Sequence, residues 1–401
     1  MVVWMKNSEL ETMRKSFDTV KRRSSSIKDL PSIKRLTSRV REIKKYSFDN
    51  KDELLNQVLE SFKRNDIECK FAKTSQDALN IIDELIDEYD AKVIAKAKSN
   101  TLGEIGLKDH LDIDVVETDL GDRILQLKKE DNKPVHPTGP ASHLNVDDIT
   151  KIVNESLDEN VAAEPTEIMR AVRSDVLKRL ESARVGISGA NAIASEEGSI
   201  VMVHNEGNIS IVSLKDLHII VAGIDKIVPT LEDAISVVKL ETVFATGSFV
   251  TSYMNVVSGP SKTADIEKKL IKNMYGAERV VVILLDNGRS DTIEECLYCI
   301  GCGNCIVHCP VYNAVGNEFG FNNYLGGRGV AMSKFIEDDE TCFDSGLYMC
   351  TLCGLCTLNC PLAIPTNEII ENMRKLSADA GFYPKAHYNI KENVSKRDSP
   401  Y

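Results

Sequence analysis

Hydrophobic positions change period repeatedly along the chain, and each change marks an element. Over residues 51–64, Leu54, Leu55, Val58, Leu59 and Phe62 fall on one side at helical spacing, which predicts an amphipathic helix. Ile67–Phe71 then predicts a short strand. Thr74 with Asp77 has the form of a capping box for a helix over Ser75–Glu88. Lys92–Lys96 and Asp114–Glu117 predict two strands, and helices follow at 146–157 and 165–183. Ile200–His204 is a strand, Asn205-Glu206-Gly207-Asn208 a turn, and Ile209–Ser213 the next strand. His218–Gly223, Phe249–Val257 and Val280–Leu285 complete the strand set, with a helix opening at Pro229-Thr230. This alternation predicts an α/β class with a parallel sheet covered by helices.

Residues 1–49 are helical in pattern but crowded with Lys and Arg, and Ser24-Ser25-Ser26 and Pro31 interrupt them. They predict a basic arm rather than part of a core. The chain divides into this arm (1–49), an α/β domain (50–290), a cysteine-bound module (295–375) and a polar, loosely ordered tail (380–401), with Asp131–Pro140 a loop. No apolar run reaches membrane-crossing length; Leu217–Ile224 and Val280–Leu285, the longest, read as buried strands.

Charge sharpens the division. The first fifty residues carry thirteen Lys and Arg against six Asp and Glu, a net of +7, so the chain total of −12 leaves −19 on the rest. The arm lacks the interleaved aromatics of a nucleic-acid binder, and a solvated face or a subunit contact is the expectation. The start of the chain lacks the order of a secretory signal. A reducing cytoplasm, where thiolates are available to iron, is the expected compartment.

Cysteine usage carries the chemistry. Cys299-x2-Cys302-x2-Cys305-x3-Cys309-Pro310 recurs as Cys350-x2-Cys353-x2-Cys356-x3-Cys360-Pro361. This is the bacterial run for a [4Fe–4S] cluster, in which the fourth cysteine ligates the other cluster. Cys299, Cys302, Cys305 and Cys360 are therefore assigned to one cluster, and Cys350, Cys353, Cys356 and Cys309 to the second. Zinc sites usually present two separated pairs and fit four cysteines within eleven residues poorly. Eleven cysteines, an odd number, argue against a disulfide framework. Cys296 and Cys342 read as small buried hydrophobes, with Cys296 also an alternative ligand in a shifted register. The long gap between the runs, and the helical pattern of Ile369, Ile370, Met373 and Leu376 after Pro365, suggest a mostly helical module.

Other signatures are sparse. Gly186-x2-Gly189 is not a dinucleotide fingerprint, and Gly326-Gly327-Arg328-Gly329 reads as a loop rather than a phosphate cradle. His143 and His204 read as satisfied polar side chains. No site for a hydride-accepting cofactor is visible, which argues against a stand-alone dehydrogenase.

The chain resembles the lactate-utilisation iron–sulfur family, which joins a LUD domain to a two-cluster ferredoxin module. The resemblance rests on Lys98-Ser99, Glu104-Ile105-Gly106-Leu107, Val115–Gly121, Gly139-Pro140-Ala141 with His143, Gly186–Asn191, Glu197–Ile200, Asn205–Asn208, Ile227-Val228-Pro229, Leu285–Ser290 and both cysteine runs. It implies a NagB/RpiA/CoA-transferase-like fold for the LUD domain. It also implies an electron-transfer subunit, with two [4Fe–4S] clusters, of an assembly oxidising L-lactate or a related 2-hydroxy acid to pyruvate. The implied partners are a cysteine-rich, heterodisulfide-reductase-like subunit, a smaller LUD subunit and a redox carrier. An adaptor in another heterodisulfide-reductase-like or ferredoxin-linked complex, or a redox-sensing regulator, are the competing roles. Related transferases use a glutamate nucleophile, which makes Glu197 and Glu206 catalytic candidates. Lys98 and Glu104, on loops after strands, are ligand candidates. Against that, Glu197 and Glu206 fit better as residues that cap helices or shape turns around Gly198 and Gly207.

Overall fold

The computed structural model describes residues 5–128 and 133–400. The first two residues of the Asp131–Pro140 loop lie outside them, as do residues 1–4 of the arm and Tyr401 of the tail. Six parallel strands form the central sheet, in the order Glu68–Ala72, Arg279–Leu285, Leu217–Gly223, Val185–Ser188, Val93–Lys96, Asp114–Glu117. The strands are apolar on both faces because helices cover both. Val281, Ile283 and Leu285 point into one core with the Ser75–Glu88 helix, whose capping box is formed by Thr74 and Asp77. Val280, Val282 and Leu284 point into the other core, which Leu54, Val58 and Phe62 of the Lys51–Arg64 helix share.

A second, mixed sheet of four strands runs Ile227–Val228, Ala192–Ala194, Ser199–His204, Tyr253–Val257. Three expectations fail locally. Residues after the Asn205–Gly207 turn form the helix Asn208–Ser213, not a strand. The strand expected from Phe249 starts at Tyr253. Gly326–Gly329 is the first turn of the helix Gly326–Ile336, not a loop.

The basic arm is also part of the core. Asn7–Ser25 and Pro31–Asp49 are helices, broken where the serines and Pro31 predict. They bury Leu10, Met13, Phe17, Ile33, Val40 and Ile43 in one apolar cluster with the Leu231–Thr246 helix and the cysteine module. Most of their charges face outward, as the amphipathic pattern requires, but Lys44 is buried and donates to the Asp225 carbonyl at 2.6 Å. The tail forms an exposed helix, Lys385–Arg397, without buried residues. The cysteine module is mostly helical: Asn304–His308, Pro310–Val315, Gly326–Ile336, Asp339–Asp344, Leu355–Asn359 and Thr366–Asp379, with one small hairpin. Among the described residues, no helix is long and apolar enough to cross a membrane.

Buried polar ties join the α/β domain to the module. Arg289 pairs with Glu104 and Asp225, each at 2.7 Å, and donates to the Tyr324 hydroxyl at 3.0 Å. Tyr324 in turn donates to Glu104. Breaking a buried pair by removing one partner costs about 3–5 kcal/mol, because the other charge is left buried and uncompensated.

Candidate functional site

Parallel strands deliver their carboxyl ends to one side of the sheet, and ligands of open α/β sheets sit there. Here that side holds a cavity with about 1180 Å³ of empty space, part of it open to solvent. The strand Val93–Lys96 runs into Lys98, Asp114–Glu117 into Asp119, Val185–Ser188 into Asn191, and Leu217–Gly223 into Lys226. Ser199–His204 of the second sheet adds His204 and Glu206, and the Leu231–Thr246 helix adds Glu241. The cavity ends on Ile300 and Gly301, the turn between Cys299 and Cys302.

The candidates of the sequence separate here. Lys98 lines the cavity, half-buried, and pairs with Asp119 at 2.7 Å. Burial pulls its pKa down, but the charges of Asp119 and Asp122 outweigh this and hold it above its usual value. Glu206 lies at the rim, where its carboxylate accepts from the Leu120 N–H at 3.0 Å. Desolvation and the neighbouring Asp119 charge raise its pKa. Glu104 does not line the cavity; its carboxylate is the fully buried partner of Arg289. Glu197 is likewise turned away and accepts from Leu231 N–H at 3.0 Å, capping the helix that begins there. His204 lines the cavity and stacks on Tyr253, with ring centroids 5.1 Å apart. His143 lies elsewhere, buried against the arm near Glu9 and Lys128.

Glu241, Asn191 and Lys226 were not singled out from sequence. Asn191 Nδ2 donates to both oxygens of Glu241, at 3.1 and 2.9 Å, and its own Oδ1 accepts from Val203 N–H. Burial pushes the Glu241 carboxyl up to about 7, against the opposing pull of Lys226 and of the Asn191 bonds. A Cβ built on Gly301 would stand 3.8 Å from Glu241 Oε1, so this carboxylate faces the first cysteine run directly.

The cysteines of the two runs come together, and Cys305 neighbours Cys299 and Cys360 as well as Cys356. Burial raises the Cys302 thiol far above its usual pKa, and the charges of Cys360, Cys299 and Cys305 add to it. Cys309 is pushed up to about 11 by burial, with Cys356 and Cys350 as its charged neighbours. Cys309, Cys350, Cys353 and Cys356 line one cavity with about 450 Å³ of empty space, and Cys305 of the first run lines it too. The two runs adopt the same backbone: Gly301 and Leu352 both have positive φ, at 78° and 56°, and so do Gly303 and Gly354, at 71° and 72°. Backbone N–H groups of Gly301, Leu352 and Tyr312 point at the sulfurs of Cys299, Cys350 and Cys309, at 3.4, 3.5 and 3.4 Å.

Iron–sulfur clusters fit these surroundings. Such N–H···S bonds are among the protein's levers on cluster potential. Among the described residues, no three His, Cys, Asp or Glu side chains converge to share one ion. A cubane sets its thiolates apart by interposing iron and sulfide, and the cavity lined by Cys305, Cys309, Cys350, Cys353 and Cys356 has such room. His136 supplies a further sign. It is buried, Thr138 N–H donates to its Nδ1 at 3.2 Å, and its Nε2 has no partner among the described residues. The proton must then sit on Nε2, which lies 2.6 Å from where a Cβ of Gly303 would be. An unused donor thus faces the backbone between Cys302 and Cys305. Arg328, half-buried, is held above its usual pKa by the Cys299 and Cys296 charges in spite of desolvation. Its guanidinium donates to the Cys296 carbonyl at 2.8 Å. Cys296 and Cys342 are buried within the apolar cluster.

Known proteins share this organisation. The LUD domain family matches residues 55–285, and the 4Fe-4S dicluster domain matches residues 295–364. The chain is 33% identical over 363 residues to lactate utilization protein B of Geobacillus thermodenitrificans (strain NG80-2), a match covering 88% of this chain and 74% of that protein. Lactate utilization protein B of Bacillus subtilis (strain 168) is 32% identical over 362 residues, with the same coverage of 88% and 74%. A solved DUF162 family protein from Deinococcus radiodurans is similar at 15% identity and a TM-score of 0.32, covering 59% of this chain and 98% of that one.

Proposed function

We infer the function from one premise: the chain belongs to the LUD-domain family, among the members that carry a 4Fe-4S dicluster domain. It is an iron–sulfur protein of lactate utilisation. In the finer reading it is the electron-transfer subunit of an assembly that oxidises L-lactate, or a related 2-hydroxy acid, to pyruvate. Cys299, Cys302, Cys305 and Cys360 would hold one [4Fe–4S] cluster, and Cys309, Cys350, Cys353 and Cys356 a second. Each bound cluster supplies a one-electron store, so two together match the two electrons released when a 2-hydroxy acid becomes a 2-oxo acid. The protein's own part is to hold thiolates in a buried setting and to aim backbone N–H groups at them. Partners in this reading are a cysteine-rich, heterodisulfide-reductase-like subunit, a smaller LUD subunit and a redox carrier, in a reducing cytoplasm.

The observation that carries the reading is the meeting of the polar LUD cavity with the turn of the first cysteine run. The test is to purify the protein without oxygen, with the subunits that accompany it, and to add L-lactate. Bleaching of the cluster absorbance and a reduced-cluster paramagnetic signal, at the rate of turnover, are expected. Reduction by dithionite but not by lactate would overturn the lactate role and leave the adaptor role in its place.

A further inference from the structure

We propose that the cavity at the carboxyl ends of the LUD strands binds a small 2-hydroxy- or 2-oxo-monocarboxylate, with Lys226 taking its carboxylate and Glu241 its C2 oxygen, against the Ile300–Gly301 turn. The class of acid rests on the lactate-utilisation reading. The place rests on the geometry alone.

The cavity's charges define what it can hold. Asp119, Glu206 and Glu241 line it opposite Lys98 and Lys226. Lys98 is committed to Asp119 at 2.7 Å. Lys226 is held more loosely, 3.6 Å from Asp225 Oδ2, while Asp225 Oδ1 is taken by Arg289 at 2.7 Å. Lys226 is therefore the cation that can turn to an incoming carboxylate. A dianion such as phosphate would face three carboxylates with one loosely paired ammonium to receive it. A monoanion that also carries an oxygen on C2 suits the set: its carboxylate accepts from an ammonium, and a C2 hydroxyl donates to ionised Glu241 while a C2 carbonyl accepts from the protonated carboxyl, whose pKa burial raises to about 7.

Glu241 is the carboxylate built for that second contact. It sits on a buried helix, and Asn191 fixes both its oxygens. Its Oε1 faces the backbone of Gly301 across a gap that a side chain there would fill. A molecule bonded to Glu241 thus lies against the turn joining Cys299 to Cys302. Small-molecule sites characteristically pair a mostly preformed cleft with a few placed polar groups.

The test uses the iron-loaded full chain, purified without oxygen, with binding followed by calorimetry. Pyruvate and L-lactate should bind, and inorganic phosphate should not compete. Lys226→Met should weaken both acids by about tenfold or more, the loss of one hydrogen bond to a charged group. Lys226→Arg, which keeps the charge, should retain most of the affinity, and the iron content and absorbance of both variants should match the parent. Unchanged affinity in Lys226→Met, no binding of either acid to the parent, or preferential phosphate binding would each overturn the site. The two readings fail separately. If the acids bind through Lys226 but lactate does not reduce the clusters in the assembly, the site stands and the electron-transfer role falls. If an assembly carrying Lys226→Met is reduced by lactate at the full rate, that role stands and the site falls.

Discussion

Two glycines of the first cysteine run have different reasons for being glycine. Gly301 has positive φ, yet Leu352 occupies the same conformation in the second run at a cost of about 1–2 kcal/mol. The left-handed conformation of Gly301 is what favours glycine there, since a Cβ would meet only Glu241 Oε1, at an ordinary contact distance of 3.8 Å. Gly303 is tighter still. At φ 71°, a Cβ would stand 2.6 Å from His136 Nε2 and 2.9 Å from Pro137 Cγ. Gly303→Ala should therefore destabilise the protein by about 1–3 kcal/mol and lower the iron bound, because the ring must leave its place beside the first run. Thermal unfolding and iron analysis of the anaerobic protein check this, and an iron-replete variant with unchanged melting would refute it. At this scale the cysteines were legible because each run is local, with ligands two or three residues apart. Asn191, Lys226 and Glu241 were not legible. They line one cavity only because two strands of the sheet end beside the Leu231–Thr246 helix that carries Glu241, and no spacing rule links them. Glu104 misled for the same reason: its partner Arg289 lies 185 residues away.

Among elements, helices and buried strands announced themselves where burial was one-sided or complete. The Lys51–Arg64 and Ser75–Glu88 helices have the bounds that periodicity and capping predict. Ile209–Ser213 was misread because Ile209, Ile211 and Val212 favour strand locally, whereas Gly207 at φ 84° turns the chain into a short helix. The basic arm was misread in another way. Its Lys and Arg dominate the composition, but Leu10, Met13, Phe17, Ile33, Val40 and Ile43 face one seam between the Leu231–Thr246 helix and the cysteine module. Phe17 is the centre of that seam, buried against Tyr312 with centroids 6.2 Å apart and against His136 at 5.7 Å. Phe17→Ala should cost about 3–5 kcal/mol, as a large buried side chain does, and should loosen the module it packs against. A lowered melting temperature with faster iron loss is the expected result. An unchanged melting temperature would return these helices to the status of an appendage.

For the molecule as a whole, the two cysteine groups lie at different depths, and that asymmetry orders them. Cys302 of the first group is buried, and the turn beside it closes the LUD cavity. In the second group Cys353 is exposed, and Leu358 on the neighbouring helix is 80% exposed. A substrate held in the cavity would thus meet the first cluster, and an acceptor approaching from solvent would meet the second. The same order should govern damage, because oxidation of cysteine sites follows solvent access. Air exposure of the anaerobically purified protein should release iron in two phases, with about half lost first if clusters of equal iron content occupy both sites. Cys353→Ser should remove the fast phase from the outset and leave the slow phase at its original rate, since the first group's ligands and its cover of arm helices are untouched. Iron release and cluster absorbance followed together over time give the measurement. A single phase in the parent protein, or a Cys353→Ser variant in which both phases accelerate, would mean that the groups share one exposure, and the path from cavity to surface would lose its structural basis.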